Sequence, residues 1–185
     1  MRVLRCSAAR AHSDHLASRC LGRVSGRTSR ELDLVLDTGI VLAACLSSAG
    51  FRPLNGYRLH SLDFMWWEAQ SILHEYVWRL SLGWPNPQWP GLTIADFQKG
   101  FTNLKEAVGS RPEPTSGSVV ESVPFTGPLA DDAWQVAERC GFAKVYDAAY
   151  VALARMLGCP LATLDARLIR SPAARLATIK GPADL

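Results

Sequence analysis

Tyr146-Asp147-Ala148-Ala149-Tyr150-Val151-Ala152-Leu153-Ala154-Arg155-Met156-Leu157-Gly158-Cys159-Pro160-Leu161-Ala162-Thr163-Leu164-Asp165 is the stretch on which the fold turns. Tyr146 to Leu157 carries apolar residues at helical spacing. Gly158 stops that helix by tolerating a left-handed turn, and Pro160 prevents its return. Leu161 to Leu164 is then a short apolar strand that ends on an acid, Asp165. Helix, tight turn and buried strand form the repeating unit of a parallel α/β sheet.

The same pattern opens the structured part of the chain. Leu32-Asp33-Leu34-Val35-Leu36 is a β-compatible, mostly apolar run that ends at Asp37, and Ile40 to Leu46 starts a helix. Gly50 to Gly56 reads as a turn or loop. Ser61 to Leu82 is the longest helical pattern. At 100° steps Met65, Ala69, Ile72, Leu73, Tyr76 and Leu80 share one face, with Trp67, His74 and Trp78 opposite. Gly83 to Gly91 is broken by Pro85, Pro87 and Pro90 and reads as a loop. Thr93 can cap a helix over Ile94 to Val108. Gly109 to Pro128 reads as a long connection with a short strand at Val119 to Val123. Asp131 and Asp132 open a helix that closes at Gly141. Ala177-Thr178-Ile179 is a last edge strand. Strands alternating with helices place the chain in the α/β class, with a mainly parallel central sheet.

The charge is unevenly distributed. Residues 1–30 hold seven arginines against the single acid Asp14, a net of +6, and residues 31–185 hold 13 basic against 16 acidic residues, a net of −3. The overall +3 therefore belongs to the N-terminal extension, read here as basic and disordered. Its Arg- and Ser-rich composition also matches an organellar transit peptide, or a start codon placed too far upstream. The net −3 of residues 31–185, the expected domain, weakens a reading as a basic protein that coats nucleic acid, so any contact with nucleic acid is expected at a local site. No apolar run approaches the roughly 20 residues of a membrane span. The five cysteines are odd in number and scattered, with no CxxC pair and no zinc spacing. They read as reduced thiols of a cytoplasmic protein.

Four acids stand out. Asp37 and Asp165 each end an apolar strand, and ligands of open α/β sheets bind beyond the carboxyl ends of the strands. The plain alternative is that each caps the element that follows. Asp147 points among Tyr150, Val151, Ala154 and Leu157 on its helix, where a carboxylate is costly unless paired, capping or bound to a metal. Glu68 lies about 90° from the centre of its helix's apolar face and has no basic neighbour one turn away. Glu75, on the same edge, is explained by Arg79 four residues on. Acids gathered without cations repel one another and persist when a divalent cation neutralises them. Oxygen-only ligands favour Mg²⁺ or Mn²⁺ over zinc, and such ions bridge readily to phosphates. This chemistry leads to metal-assisted phosphodiester hydrolysis.

At these residues the sequence resembles the PIN-domain ribonucleases, most closely the VapC-type toxins of bacterial toxin–antitoxin pairs. The carrying segments are Val35-Leu36-Asp37-Thr38, Glu68-Ala69-Gln70-Ser71-Ile72-Leu73, Tyr146 to Ala154, and Thr163-Leu164-Asp165-Ala166-Arg167-Leu168. The last two are the specific part, with Asp165 18 residues after Asp147. The resemblance runs from about Leu32 to Ile179. It implies a three-layer α/β/α fold and a Mg²⁺- or Mn²⁺-dependent endoribonuclease. It assigns Asp37, Glu68, Asp147 and Asp165 to the catalytic metal cluster, with Thr163 as a supporting hydroxyl. It also implies an RNA substrate, a homodimer and a cognate antitoxin. Two departures are visible. Gly39 stands where a Ser or Asn is usual, and Trp84 to Phe125 is longer and richer in Pro and Trp than in compact members.

Two other readings follow from the residues. One is a non-catalytic PIN module that binds RNA or a protein partner. The other is an α/β phosphatase or nucleotide-binding domain, which no Gly-rich phosphate loop supports. Arg155, Arg167 and Arg170 are candidates for phosphate contacts. The six tryptophans suit core or dimer packing, or stacking on RNA bases or an antitoxin helix.

Overall fold

A computed structural model describes residues 32–108 and 119–185. The basic extension of residues 1–30 and most of the long connection after Val108 lie outside the described residues. Chain order is β1 (Leu32–Leu36), α1 (Thr38–Leu46), β2 (Tyr57–Leu62), α2 (Met65–Ser81), α3 (Ile94–Val108), β3 (Val120–Val123), α4 (Gly127–Cys140), α5 (Val145–Leu157), β4 (Leu161–Ala162), α6 (Ala166–Ile169) and β5 (Ile179–Lys180). The strands form one sheet in the order β3-β2-β1-β4-β5, and every pairing is parallel.

That order decides where a site can form. From β1 the chain adds β2 and then β3 on one side. It then crosses back to add β4 and β5 on the other. Parallel crossovers are right-handed, so reversing direction puts the connecting helices on opposite faces. Accordingly α1, α2 and α3 pack on one another and α4 packs on α5, while α1 and α5 both reach β1. The result is a three-layer α/β/α fold. Leu34, Val35 and Leu36 of the central strand are fully buried, as a strand covered on both faces requires. The direction reverses between β1 and β4. In sheets of this kind the crevice at that switch point, beyond the carboxyl ends of the strands, is where ligands bind.

Several local expectations meet a different outcome. The long helix begins at Met65 rather than Ser61, because Tyr57–Leu62 is a strand. Its interior polar residues conceal it in the sequence. His60 Nε2 lies 2.8 Å from Asp33 Oδ1 on β1, and the Ser61 hydroxyl donates to the Leu36 carbonyl at 2.9 Å. Both side chains are buried with partners supplied by the neighbouring strand. The helix expected from Asp131 starts earlier, at Gly127, because Pro128 fits the first turn, where its missing N–H costs nothing. Gly141 and Gly158 close α4 and α5 in the left-handed region, at φ 69° and 66°. Gly100 allows α3 to approach α1 closely; a Cβ there would meet Leu46 Cδ2 at 2.6 Å. Among the described residues no helix is long and apolar enough to cross a membrane.

Candidate active site

Asp37 is the residue at which β1 gives way to α1. Its Oδ1 accepts from the Ile40 N–H at 2.8 Å and so caps α1. Its Oδ2 accepts from the Thr163 hydroxyl. Capping and site formation are therefore not alternatives here, since the cap fixes where the carboxylate sits. Thr163 is fully buried at the end of β4, and its oxygen also accepts the Asp165 N–H at 2.9 Å. One hydroxyl thus joins the carboxyl ends of β1 and β4 across the switch point. Burial pushes the Asp37 carboxyl up to about 6. The charges of Glu68 and Asp147 push the same way, against the hydrogen bonds from Thr163 and Ile40.

Glu68 stands on the first turn of α2. The Thr38 hydroxyl donates to its Oε2. Thr38 Oγ1 also lies 2.8 Å from the Tyr150 hydroxyl. Because Thr38 spends its single proton on Glu68, the phenol must donate to Thr38. Thr38 and Tyr150 are both buried. The phenolic proton is held more tightly than usual, first because of burial and then because of the Glu68 and Asp37 charges. Tyr150 looks like core on a helical wheel. Only the fold reveals that its hydroxyl supports a glutamate 82 residues away. Removing that hydroxyl leaves the ring packed and loosens Glu68. Tyr150→Phe is therefore expected to fold normally and to weaken Mn²⁺ binding and activity about 10- to 100-fold, the usual effect of losing an outer support to a metal ligand. Titration of Mn²⁺ by calorimetry measures this; an unchanged affinity would remove Tyr150 from the site.

Asp147 occupies the first turn of α5, but it is not turned among apolar neighbours as its sequence position implies. The first turn of α5 stands at the carboxyl edge of the sheet, and Asp147 is exposed there. Partial desolvation raises its carboxyl, the Asp165 charge raises it further, and Arg167 and Lys144 act in the opposite direction. Asp165 caps α6 through the Arg167 N–H at 2.7 Å. It also holds the Arg167 guanidinium, Nη2 to Oδ2 at 3.0 Å, and this hydrogen bond keeps its carboxyl below the ordinary value.

The four acids thus form a chain of mutual influence: Glu68 and Asp147 on Asp37, and Asp165 on Asp147. Among the described residues Asp37 and Glu68 hold only neutral donors, while Arg167 pairs with Asp165. Among the described residues no three His, Cys, Asp or Glu side chains converge tightly enough to hold a metal ion as they stand. Three of the four acids lean instead on protein donors. The donor chemistry nonetheless fits a hard divalent cation: oxygen-only ligands, a carboxyl whose proton affinity is raised by burial and then by other acids, and no counter-charge for Asp37 or Glu68 among the described residues.

The remaining candidates divide. Arg155 is a tie between helices, with Nη1 3.1 Å from Asp132 on α4. Arg167 is at the site, and Arg170 is exposed. Glu75 pairs with Arg79 at 2.7 Å, as its spacing requires. Trp66 is core, Trp89 packs edge-on to Tyr76 at 5.1 Å, and Trp67, Trp78, Trp84 and Trp134 are exposed. At Gly39 a Cβ would stand 3.3 Å from Asp37 Oδ1 and 3.6 Å from the Leu164 Cβ, so any side chain here crowds the Asp37 carboxylate.

Two solved structures share this architecture. PAE2754 from Pyrobaculum aerophilum superposes with a TM-score of 0.53 at 23% identity, over 80% of this chain and 90% of that one. VapBC2 from Rickettsia felis, bound to a DNA fragment from its promoter, superposes with a TM-score of 0.50 at 10% identity, over 81% of this chain and 98% of that one. At these identities the likeness is one of fold. Among curated proteins none matches the chain. The PIN domain family model matches residues 34–173, a span that contains all four acids and both ends of the switch-point crevice. With sheet order, site position and this match in agreement, the chain belongs to the PIN-domain family.

Proposed function

We propose that the protein is a metal-dependent endoribonuclease, the VapC-type toxin of a type II toxin–antitoxin pair, which hydrolyses RNA phosphodiester bonds. The observation that carries this reading is that Asp37 and Asp165, tied through the Thr163 hydroxyl, share the carboxyl edge of the sheet with the first turns of α2 and α5, which bear Glu68 and Asp147. These four residues would hold Mg²⁺ or Mn²⁺. When bound, such an ion acidifies a coordinated water and offsets the charge that builds on the phosphoryl oxygens. The protein's own residues do the rest. Thr163 and Ile40 orient Asp37, Thr38 and Tyr150 orient Glu68, and Lys144 and Arg167 bring positive charge to the rim where a phosphate approaches.

The antitoxin belongs to the same reading, supported by the fold shared with the VapBC2 assembly. A homodimer is supported by the large exposed apolar side chains, Trp67, Trp78 and Trp84 among them. Residues 1–30 are proposed to be a separate extension that the chemistry does not use. Deleting them is expected to leave metal-dependent cleavage within about twofold, since Glu31–Leu185 is a compact unit by itself.

The deciding experiment incubates labelled structured RNA with the purified protein in Mg²⁺, and then in EDTA. Cleavage that needs the metal is expected. RNA binding without cleavage under any divalent cation would favour the non-catalytic module, the reading to which Gly39 and the Asp165–Arg167 pair lend weight.

A further inference from the structure

Tyr146 immediately precedes Asp147 on the exposed edge of α5, and 58% of its surface is accessible. Trp67, which precedes Glu68, is similarly open, but among the described residues no other aromatic ring packs against it as Phe64 does against Tyr146. The Tyr146 ring is supported from beneath. Phe64 meets it edge-on at 6.3 Å, and Phe64 in turn packs on Phe125 at 5.4 Å and on Tyr150 at 5.7 Å. Phe125 is itself pinned, its N–H donating to Asp63 Oδ1 at 3.2 Å. This aromatic row therefore runs from the hydroxyl that supports Glu68 to an open ring beside Asp147.

We infer that Tyr146 is a stacking platform for an unpaired base of single-stranded RNA, one that seats the nucleotide next to the bond presented to Asp37, Glu68, Asp147 and Asp165. Three features favour RNA over a protein partner. The platform adjoins the acids rather than a remote face. Lys144 and Arg167, whose charges act on Asp147, supply cations for the flanking phosphates. A ring braced by Phe64 is partly ordered before a base arrives, which lowers the entropic cost of stacking. A duplex keeps its bases stacked on one another, so the platform selects loops, bulges and ends. This inference rests on the nuclease reading above for its substrate class.

The test compares wild type with Tyr146→Phe, Tyr146→Leu and Tyr146→Ala in the full chain. Binding of a labelled single-stranded oligoribonucleotide is read by anisotropy with Ca²⁺, and cleavage is read with Mg²⁺. A series of the same RNA carries one abasic site at each position in turn. Tyr146→Ala and Tyr146→Leu are expected to weaken binding and raise KM about 5- to 100-fold, the range of one base–aromatic stack, with kcat much less affected. Tyr146→Phe is expected to restore binding. In wild type one abasic position should carry a penalty of similar size, and that penalty should vanish in Tyr146→Ala. Cleavage with KM and abasic penalties indifferent to residue 146 overturns the platform and leaves the nuclease standing. Tyr146-dependent RNA binding without cleavage keeps the platform and overturns the nuclease. Failure to bind RNA at all overturns both.

Discussion

Asp147→Asn is expected to lower metal-dependent RNA cleavage on the order of 10³-fold while leaving the fold and melting temperature essentially intact. A divalent ion contributes several kcal/mol of transition-state stabilisation, and each 1.36 kcal/mol is tenfold in rate. Loss of one ligating charge removes most of that contribution. The fold loses little, because Asp147 is exposed and its negative charge is opposed by Asp165 and in turn opposes Asp37. Arg155→Ala, two turns further along α5, is the matched control. It breaks the half-exposed pair with Asp132 between α4 and α5, which costs at most about 1 kcal/mol. It should leave cleavage unchanged. Cleavage by Asp147→Asn at the wild-type rate would remove Asp147 from the metal cluster, and a collapsed melting transition would assign it a structural role instead.

The parallel α/β architecture was legible because its evidence is local. Apolar strands that end in acids, glycines that end helices and prolines that bar their continuation each act within a few residues. The strand Tyr57–Leu62 was not legible, because His60 and Ser61 are paid for by Asp33 and Leu36 on another strand, and no window on the chain contains both halves. The site divides in the same way. Asp37, Glu68, Asp147 and Asp165 could be singled out as acids in costly or unexplained places. The supports of Glu68 could not, since Thr38 and Tyr150 become neighbours only when α1 and α5 are both packed against β1. The surroundings of Asp147 were misread for a related reason. A helical wheel gives direction about one axis but not where the sheet ends, and the first turn of α5 stands at that edge.

Asp37→Asn is expected to make the metal-free protein more stable at pH 8, by about 1–3 kcal/mol, while abolishing the metal response. The Asp37 carboxyl titrates at about 6 in the folded chain against an ordinary value of 3.8. The folded state therefore binds this proton more tightly than the unfolded state. Its stabilising contribution is complete below about pH 4 and is lost as the pH rises through about 6. The gap corresponds to about 3 kcal/mol at 1.36 kcal/mol per pH unit. Asn is uncharged at every pH and caps a helix as well as Asp, so it escapes this loss and retains the bond from Ile40. Its weaker partnership with the Thr163 hydroxyl accounts for the lower end of the range. Urea unfolding in EDTA from pH 4 to 8 measures the effect. The difference between variant and wild type isolates Asp37 from the other titrating groups, and it should grow from near zero at pH 4 to its full value above pH 7. Saturating Mn²⁺ should reverse the order at pH 8, stabilising wild type by about 2.7 kcal/mol at a hundred times the dissociation constant and the variant far less. A variant less stable than wild type at pH 8 in EDTA, or a difference that does not change with pH, would show that burial and the neighbouring acids do not strain Asp37. On the proposed reading, stability is held below its optimum at Asp37, the carboxylate that joins β1, α1 and β4, and a bound cation would relieve it.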